Sequence, residues 1–321
     1  MAIGRLRRLA LRVDVAQQRH PGLALPSAVI RKFADDRAGG LAALIAYYAF
    51  FSLFPLMLVA VTVTSYILHG NAQLQNRIVD SALVNLPIIG NQIRGGIHTI
   101  NGSMFALTLG IAGALWAGMG VLAAVESALD DIWDVPRRER DSMIPRLIRG
   151  AIVLIALGAA VLVAALTAGI STAMSSVPAA VIGWCTAAVL NVGTMMIVFR
   201  LLTTAQVSWR DVCPGAALAG VVWTGLQALG GYIVGRRISG ASDVYGVFAV
   251  VIGLLSWLYL GAQITVLAAE LNVVLRKGLW PRSLIPPPHR PEDERAMRLQ
   301  AQEEEADPRE RVSVEIRDGP A

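Results

Sequence analysis

Few residues of this chain have the type and setting to do chemistry, and Glu270 is the sharpest. It closes the stretch Gly261-Ala262-Gln263-Ile264-Thr265-Val266-Leu267-Ala268-Ala269-Glu270, an acid at the end of a long run that is otherwise uncharged. In hydrocarbon a carboxylate needs a partner, a water or a proton. A helix that starts near Tyr245 has risen ~37 Å by residue 270 at ~1.5 Å per residue, which puts Glu270 near a membrane interface rather than mid-bilayer. Pairing with a nearby arginine and a role in handling a proton or substrate therefore both stay open.

Two further groups join it. Glu126 and Asp130 stand four apart on one helix face, ahead of Asp131, Trp133, Asp134 and the arginines 137, 138 and 140. They read either as a salt-bridged helix end or as an electrostatic gate or headgroup site. In Tyr47-Tyr48-Ala49-Phe50-Phe51-Ser52-Leu53-Phe54-Pro55 the proline removes one helical hydrogen bond and crowds the Phe51 carbonyl. The hydroxyls of Tyr47, Tyr48 and Ser52 beside a kink at Pro55 could line a polar path, or the kink could serve packing alone. Tyr245, where the last apolar run begins, completes the candidate pathway or gate residues.

Enzymatic chemistry finds little footing. His20, His69, His98 and His289 are scattered, and no HExxH, paired CxxC or phosphate-binding Gly-rich loop is present. The expectation is no catalytic residue, no metal centre and no cofactor.

Six elements must position these residues. Leu41–Leu68, Ser103–Val125, Ile148–Met174, Val177–Leu202, Val212–Val234 and Tyr245–Leu275 are each long enough to cross a ~30 Å hydrocarbon core, which takes ~20 helical residues. With no water to satisfy stray backbone groups, such spans must be helices. In 321 residues, 55% hydrophobic and 16% charged, the composition excludes an ordinary soluble domain. The fold class expected is all-α, a polytopic bundle of six transmembrane helices.

Charge placement orients it. Arg5, Arg7, Arg8, Arg12, Arg19, Arg31, Lys32 and Arg37 precede the first span, Arg137 to Arg149 fill the second link, and Arg276, Lys277 and Arg282 follow the sixth span. The alternate links hold only Arg77, Arg94, Arg236 and Arg237. The positive-inside rule puts both termini in the cytoplasm of a multi-pass plasma-membrane protein. The basic residues would face anionic headgroups of the inner leaflet rather than nucleic acid.

The domain reading is a basic cytoplasmic segment over 1–40, a membrane domain over 41–277 and a tail over 278–321. Within the first, Ala28–Ala38 reads as an amphipathic helix on the inner leaflet or as a solvated arm. The link 70–102 reads as two external amphipathic helices hinged at Pro87. The tail, with Pro286-Pro287-Pro288 and Glu303-Glu304-Glu305, has too little apolar surface for a core and is expected to be disordered. Small residues such as Gly113, Gly118 and Gly261 offer close-packing faces that suit a compact bundle or a homo-oligomer, and Asn191, Gln227 and Gln263 suit interhelical hydrogen bonds.

Several stretches taken in order carry a resemblance: Ala42-Ala43-Leu44-Ile45-Ala46-Tyr47-Tyr48 leading into Phe51-Ser52-Leu53-Phe54-Pro55, and Trp116 to Trp133 with Asp134-Val135-Pro136 and Arg140. Then come Pro214-Gly215-Ala216, Val244-Tyr245-Gly246, Trp257-Leu258-Tyr259 and Ala268-Ala269-Glu270-Leu271-Asn272. Over most of residues 30–277 the chain resembles the YihY/BrkB family of bacterial inner-membrane proteins, formerly labelled ribonuclease BN. It departs from that pattern in lacking a Tyr and a Pro within Phe199–Thr203 and in having Ala268 where family members often have Gly. The resemblance implies a six-helix plasma-membrane protein with a role in envelope or lipid handling, and it does not imply a nuclease. The function expected is a transporter or lipid-handling permease, with a non-transporting scaffold for envelope partners as the alternative.

Overall fold

The computed structural model describes residues 14, 17–18, 20–67, 104–173, 177–237, 246–283, 290–307 and 309–313. Among the described residues it is all-helical. Helix α1 spans Pro21–Asp35, α2 Ala38–Ile67, α3 Met104–Ile132, α4 Met143–Ala173, α5 Val177–Leu201, α6 Trp209–Arg237, α7 Gly246–Lys277 and α8 Pro291–Glu303. Among the described residues, helices α2 to α7 are the six long and apolar enough to cross a membrane. They coincide with the six runs read from the sequence, because run length and lack of charge leave the backbone no other way to satisfy itself in lipid.

The six form a circuit. α2 packs chiefly on α3 and α7, α6 bridges α7 and α5, and α5 leads on to α4, whose contact with α3 is the thinnest. Buried apolar residues gather at one end: Ala38, Ala42 and Ile45 of α2, Leu122 to Ile132 of α3, Phe199 of α5, Val212 and Ala216 of α6, and Val266, Val273 and Val274 of α7. Trp116, Ile155, Ile182, Val189 and Phe248 project outward. An apolar outer surface of this extent would be a liability in water and suits lipid contact.

Small residues set the closest approaches. Gly113 of α3 faces the Pro55 ring and Gly120 faces the Tyr48 ring. Gly215 of α6 lies so close to α7 that a side chain there would run into the Ala268 carbonyl and Asn272, and its N–H donates to Asn272 Oδ1 at 2.7 Å. Asn191 donates to Thr224 Oγ1 at 2.9 Å and to Gln227 Oε1 at 3.2 Å, tying α5 to α6.

The tail differs from expectation. Rather than being disordered throughout, it forms α8, with Pro291 in the first turn, Glu292, Asp293 and Glu294 beside it, and Asp293 Oδ2 accepting the Arg290 N–H at 3.1 Å. Acidic residues there favour the helix because they complement the unpaired N–H groups and the dipole. Polar contacts hold it on the bundle together with Ala296 and Leu299, which pack against the apolar core. The Ala28–Ala38 stretch is neither a free arm nor a surface float: α1 packs on α7 with Ala28, Val29 and Lys32 buried. The two amphipathic helices expected over 70–102 lie outside the described residues.

Candidate functional site

Three chain reversals bring five charged side chains together at the end of the bundle where the buried residues gather. α1 ends in a turn through Asp36 and Arg37, the latter at φ 51°. α3 ends with Asp134 at φ 49°, where the Val135 N–H donates back to the Asp130 carbonyl at 2.9 Å. Aspartate tolerates this left-handed backbone better than most residues. α7 ends at Gly278, φ 62°, and the Leu279 N–H returns to the Val274 carbonyl at 3.0 Å.

Lys32 stands at the centre. Its ammonium pairs with Asp36 one turn on, reaches Asp134 Oδ1 at 3.4 Å and lies 3.8 Å from Glu270 Oε2. Lys277 pairs with Asp134 Oδ2 at 2.9 Å and donates to the Trp133 carbonyl. Burial works against charge on Lys32, but Glu270, Asp134 and Asp36 outweigh it and raise it above the ordinary lysine value. Burial also lifts the Asp36 carboxyl above its usual range, and Lys32 opposes that shift without cancelling it.

Glu270 is the outlier. It is 0% exposed, and neither carboxylate oxygen has a hydrogen-bond donor. It lies within hydrogen-bonding reach of Asp36, yet two carboxylates have no hydrogen to share until a proton is added. The cluster sets three carboxylates against two ammoniums. One proton would balance that charge and supply the missing donor. Beside it, a cavity of about 10 Å³ lined by Lys32, Asp36, Asp134, Arg282 and Gln300 has room for about one water.

An outer layer closes over the cluster. Arg282 bridges Asp35 at 2.8 Å and the fully buried Asp293 of α8 at 3.0 Å. Gln17 donates to the Arg282 carbonyl at 2.9 Å, the Ser283 hydroxyl donates to Asp14 at 3.1 Å, and Gln300 of α8 reaches Asp36 at 3.2 Å. Arg140 joins Asp131 at 2.7 Å to Glu303 at 2.8 Å, and Arg138 meets Glu305 at 2.7 Å. Segments from both ends of the described chain thus cap the same buried charges.

The remaining sequence candidates lie apart. Glu126 takes Arg146 at 2.9 Å and Arg149 at 3.9 Å. Asp130 accepts from the Thr204 N–H at 2.7 Å and the Thr204 hydroxyl at 2.9 Å, which ties the end of α3 to the link between α5 and α6. Tyr47 is largely exposed in an aromatic group with Tyr48 and Phe51. Ser52 donates to the Ala49 carbonyl at 2.8 Å, and α2 runs unbroken through Pro55. Tyr245 lies outside the described residues. Sequence reasoning missed Lys32, Asp36, Asp134 and Lys277 as members of the cluster around Glu270. Only the Lys32/Asp36 spacing of four inside an amphipathic stretch gave a local signal.

The family described as Virulence factor BrkB matches residues 29–291. The chain belongs to the BrkB family. Its relatives include the ribonuclease-like protein YfkH of Bacillus subtilis (strain 168), 26% identical over 73% of this chain and 88% of that protein. A UPF0761 membrane protein, Smlt0865 of Stenotrophomonas maltophilia (strain K279a), is 26% identical over 82% of this chain, which spans 63% of that protein's length. No solved structure matches. The BrkB region takes in Lys32, Asp36, Asp134, Glu270, Lys277 and Arg282, whereas it stops where α8 begins. The contacts that α8 makes over the charged cluster therefore fall almost wholly beyond the BrkB match.

Proposed function

We propose that this membrane protein is a permease of the bacterial plasma membrane that handles lipid or another envelope component, with the Lys32–Asp36–Asp134–Glu270–Lys277 cluster as the proton-bearing element that its motion acts on. The observation that carries this reading is Glu270, fully buried and without a donor for either oxygen. A cluster built only to hold helices together satisfies its lone pairs, and an ionisable group held within a membrane-crossing helix is costly unless it is used. Basic residues concentrate at the end of the bundle that carries the cluster, and by the positive-inside rule that end faces the cytoplasm.

The scaffold alternative draws less support, since α8 is docked on the bundle through Arg138 and Arg140 rather than held out for a partner. Ribonuclease is a word in the name of the YfkH relative, and metal-dependent RNA cleavage gains no support from the site, since among the described residues no three His, Cys, Asp or Glu side chains are grouped to hold a metal ion.

The test is reconstitution of the full chain in liposomes carrying a fluorescent phosphatidylglycerol, with dithionite quenching to follow movement between leaflets. Accelerated movement that Glu270→Gln abolishes while the variant still elutes as folded protein is the expected result. Wild-type protein that leaves the lipid static removes the lipid reading, and equal movement by Glu270→Gln removes the cluster from it.

A further inference from the structure

The link between α5 and α6 holds a second charged feature, separate from the Glu270 cluster. Arg200 closes α5 and Trp209 opens α6, and the guanidinium carbon lies 6.0 Å from the centre of the indole ring. That distance is at the outer limit of a cation–π contact. Arg200 differs from its neighbours in what it lacks. Arg146 and Arg149 face Glu126, Arg149 also meets Asp141, and Arg276 meets Asp211. Among the described residues no carboxylate pairs with Arg200, and its Nε is closed off from solvent with no acceptor.

An open cleft of about 570 Å³ lies against it, lined by Arg149, Arg200 and the segment Thr203–Ser208, with no acidic side chain in the lining. Asp130 already occupies the Thr204 hydroxyl, Asp211 the Ser208 hydroxyl, and Arg149 donates to the Thr203 carbonyl at 3.2 Å, which leaves Arg200 and the exposed Gln206 side-chain amide as the donors available to a ligand. The depth is also informative. One membrane-crossing stretch ends at Leu201 and the next begins at Trp209, so the cleft sits where headgroups lie. A guanidinium with no protein acceptor suits a carboxylate or a phosphate alike, and phosphate is the anion that every phospholipid headgroup brings to that depth.

We propose that this cleft binds a phosphate group, with Arg200 as the principal donor and the Gln206 side-chain amide as the second. A phospholipid headgroup and inorganic phosphate both present that chemistry. The site stands independently of transport, since a membrane protein that moves nothing would hold such a group equally well.

Native mass spectrometry of the purified full chain in detergent tests this, with dioctanoyl phosphatidylglycerol and inorganic phosphate as separate probes and in competition. The expected result is one saturable adduct, weakened on the order of tenfold by Arg200→Gln, as loss of a charge-assisted hydrogen bond implies. Gln206→Glu, which sets a carboxylate at an exposed position of the lining, weakens it as well and keeps the test open should Arg200→Gln fail to fold. Arg210→Gln, beyond Trp209 and outside the lining, leaves it unchanged. A phosphatidylglycerol adduct that millimolar phosphate does not displace assigns the lipid, and full displacement assigns the free anion. Equal binding by wild type, Arg200→Gln and Gln206→Glu, or no adduct with either probe, overturns the proposal.

Discussion

Lys32 Nζ and Glu270 Oε2 lie 3.8 Å apart, one from the first described helix and the other from the last turns of the sixth membrane helix. No other cation approaches Glu270 among the described residues, whereas Asp134 has Lys277 as well. The burial of Glu270 therefore depends on a helix that does not itself cross the membrane.

The first prediction follows from that dependence. Lys32→Met leaves Glu270 buried with no cation within reach and Asp36 without its paired ammonium, and removal of one partner of a buried pair costs ~3–5 kcal/mol. Thermal unfolding in detergent should show a large fall in midpoint for Lys32→Met and a partial recovery when Glu270→Gln is added. A double variant no more stable than Lys32→Met would mean that the two residues are not energetically coupled.

The six membrane helices were legible because a long uncharged run has one backbone solution in lipid, and Glu270 was legible as the acid that interrupts one. The rest of its cluster was not. Lys32 and Lys277 read as two more basic residues flanking spans, and nothing local says which of them turns inward. The choice is made by tertiary packing, through the turns at Arg37, Asp134 and Gly278. The tail misled for a related reason. Composition reads Asp293, Glu303 and Glu305 as solvated charge, while each meets an arginine on the bundle or beside it. Pro291 followed by three acidic residues was the available sign of a helix start.

Gly215 supplies a second prediction. Its backbone lies against the Ala268 carbonyl and Asn272, so Gly215→Ala must push α6 away from α7 just where Glu270 is held. Overpacking of this kind costs ~1–3 kcal/mol. The variant should unfold at lower temperature than wild type, while Gly225→Ala, where nothing stands within 4 Å, should not. Equal midpoints for all three proteins would contradict the close approach.

Asp130 separates a gate from a tether. It accepts from the Thr204 N–H and hydroxyl, and asparagine can keep one bond as acceptor and reverse the other as donor. Asp130→Asn should therefore stay near wild type in stability and in leaflet-exchange rate. Asp130→Ala strands the Thr204 groups and should lose ~1–3 kcal/mol. Loss of exchange in Asp130→Asn with unchanged stability would show that the charge itself is used.

The docking of α8 should depend on pH through Glu303. Burial, with Asp131 beside it, raises this carboxyl to about 7, although Arg140 pulls the other way. Undocked, it returns to the ordinary glutamate value of about 4.3. A group that binds its proton more tightly in the docked state favours docking fully at low pH, and that contribution is lost as pH rises through about 7. Between about pH 5 and 8, hydrogen exchange in Pro291–Glu303 should therefore be slower at the acid end, once corrected for the intrinsic pH dependence of exchange. Glu303→Gln should flatten that difference. A corrected profile equally steep in the variant would place the titrating group elsewhere, with Asp36, bonded to Gln300 of α8, as the next residue to substitute.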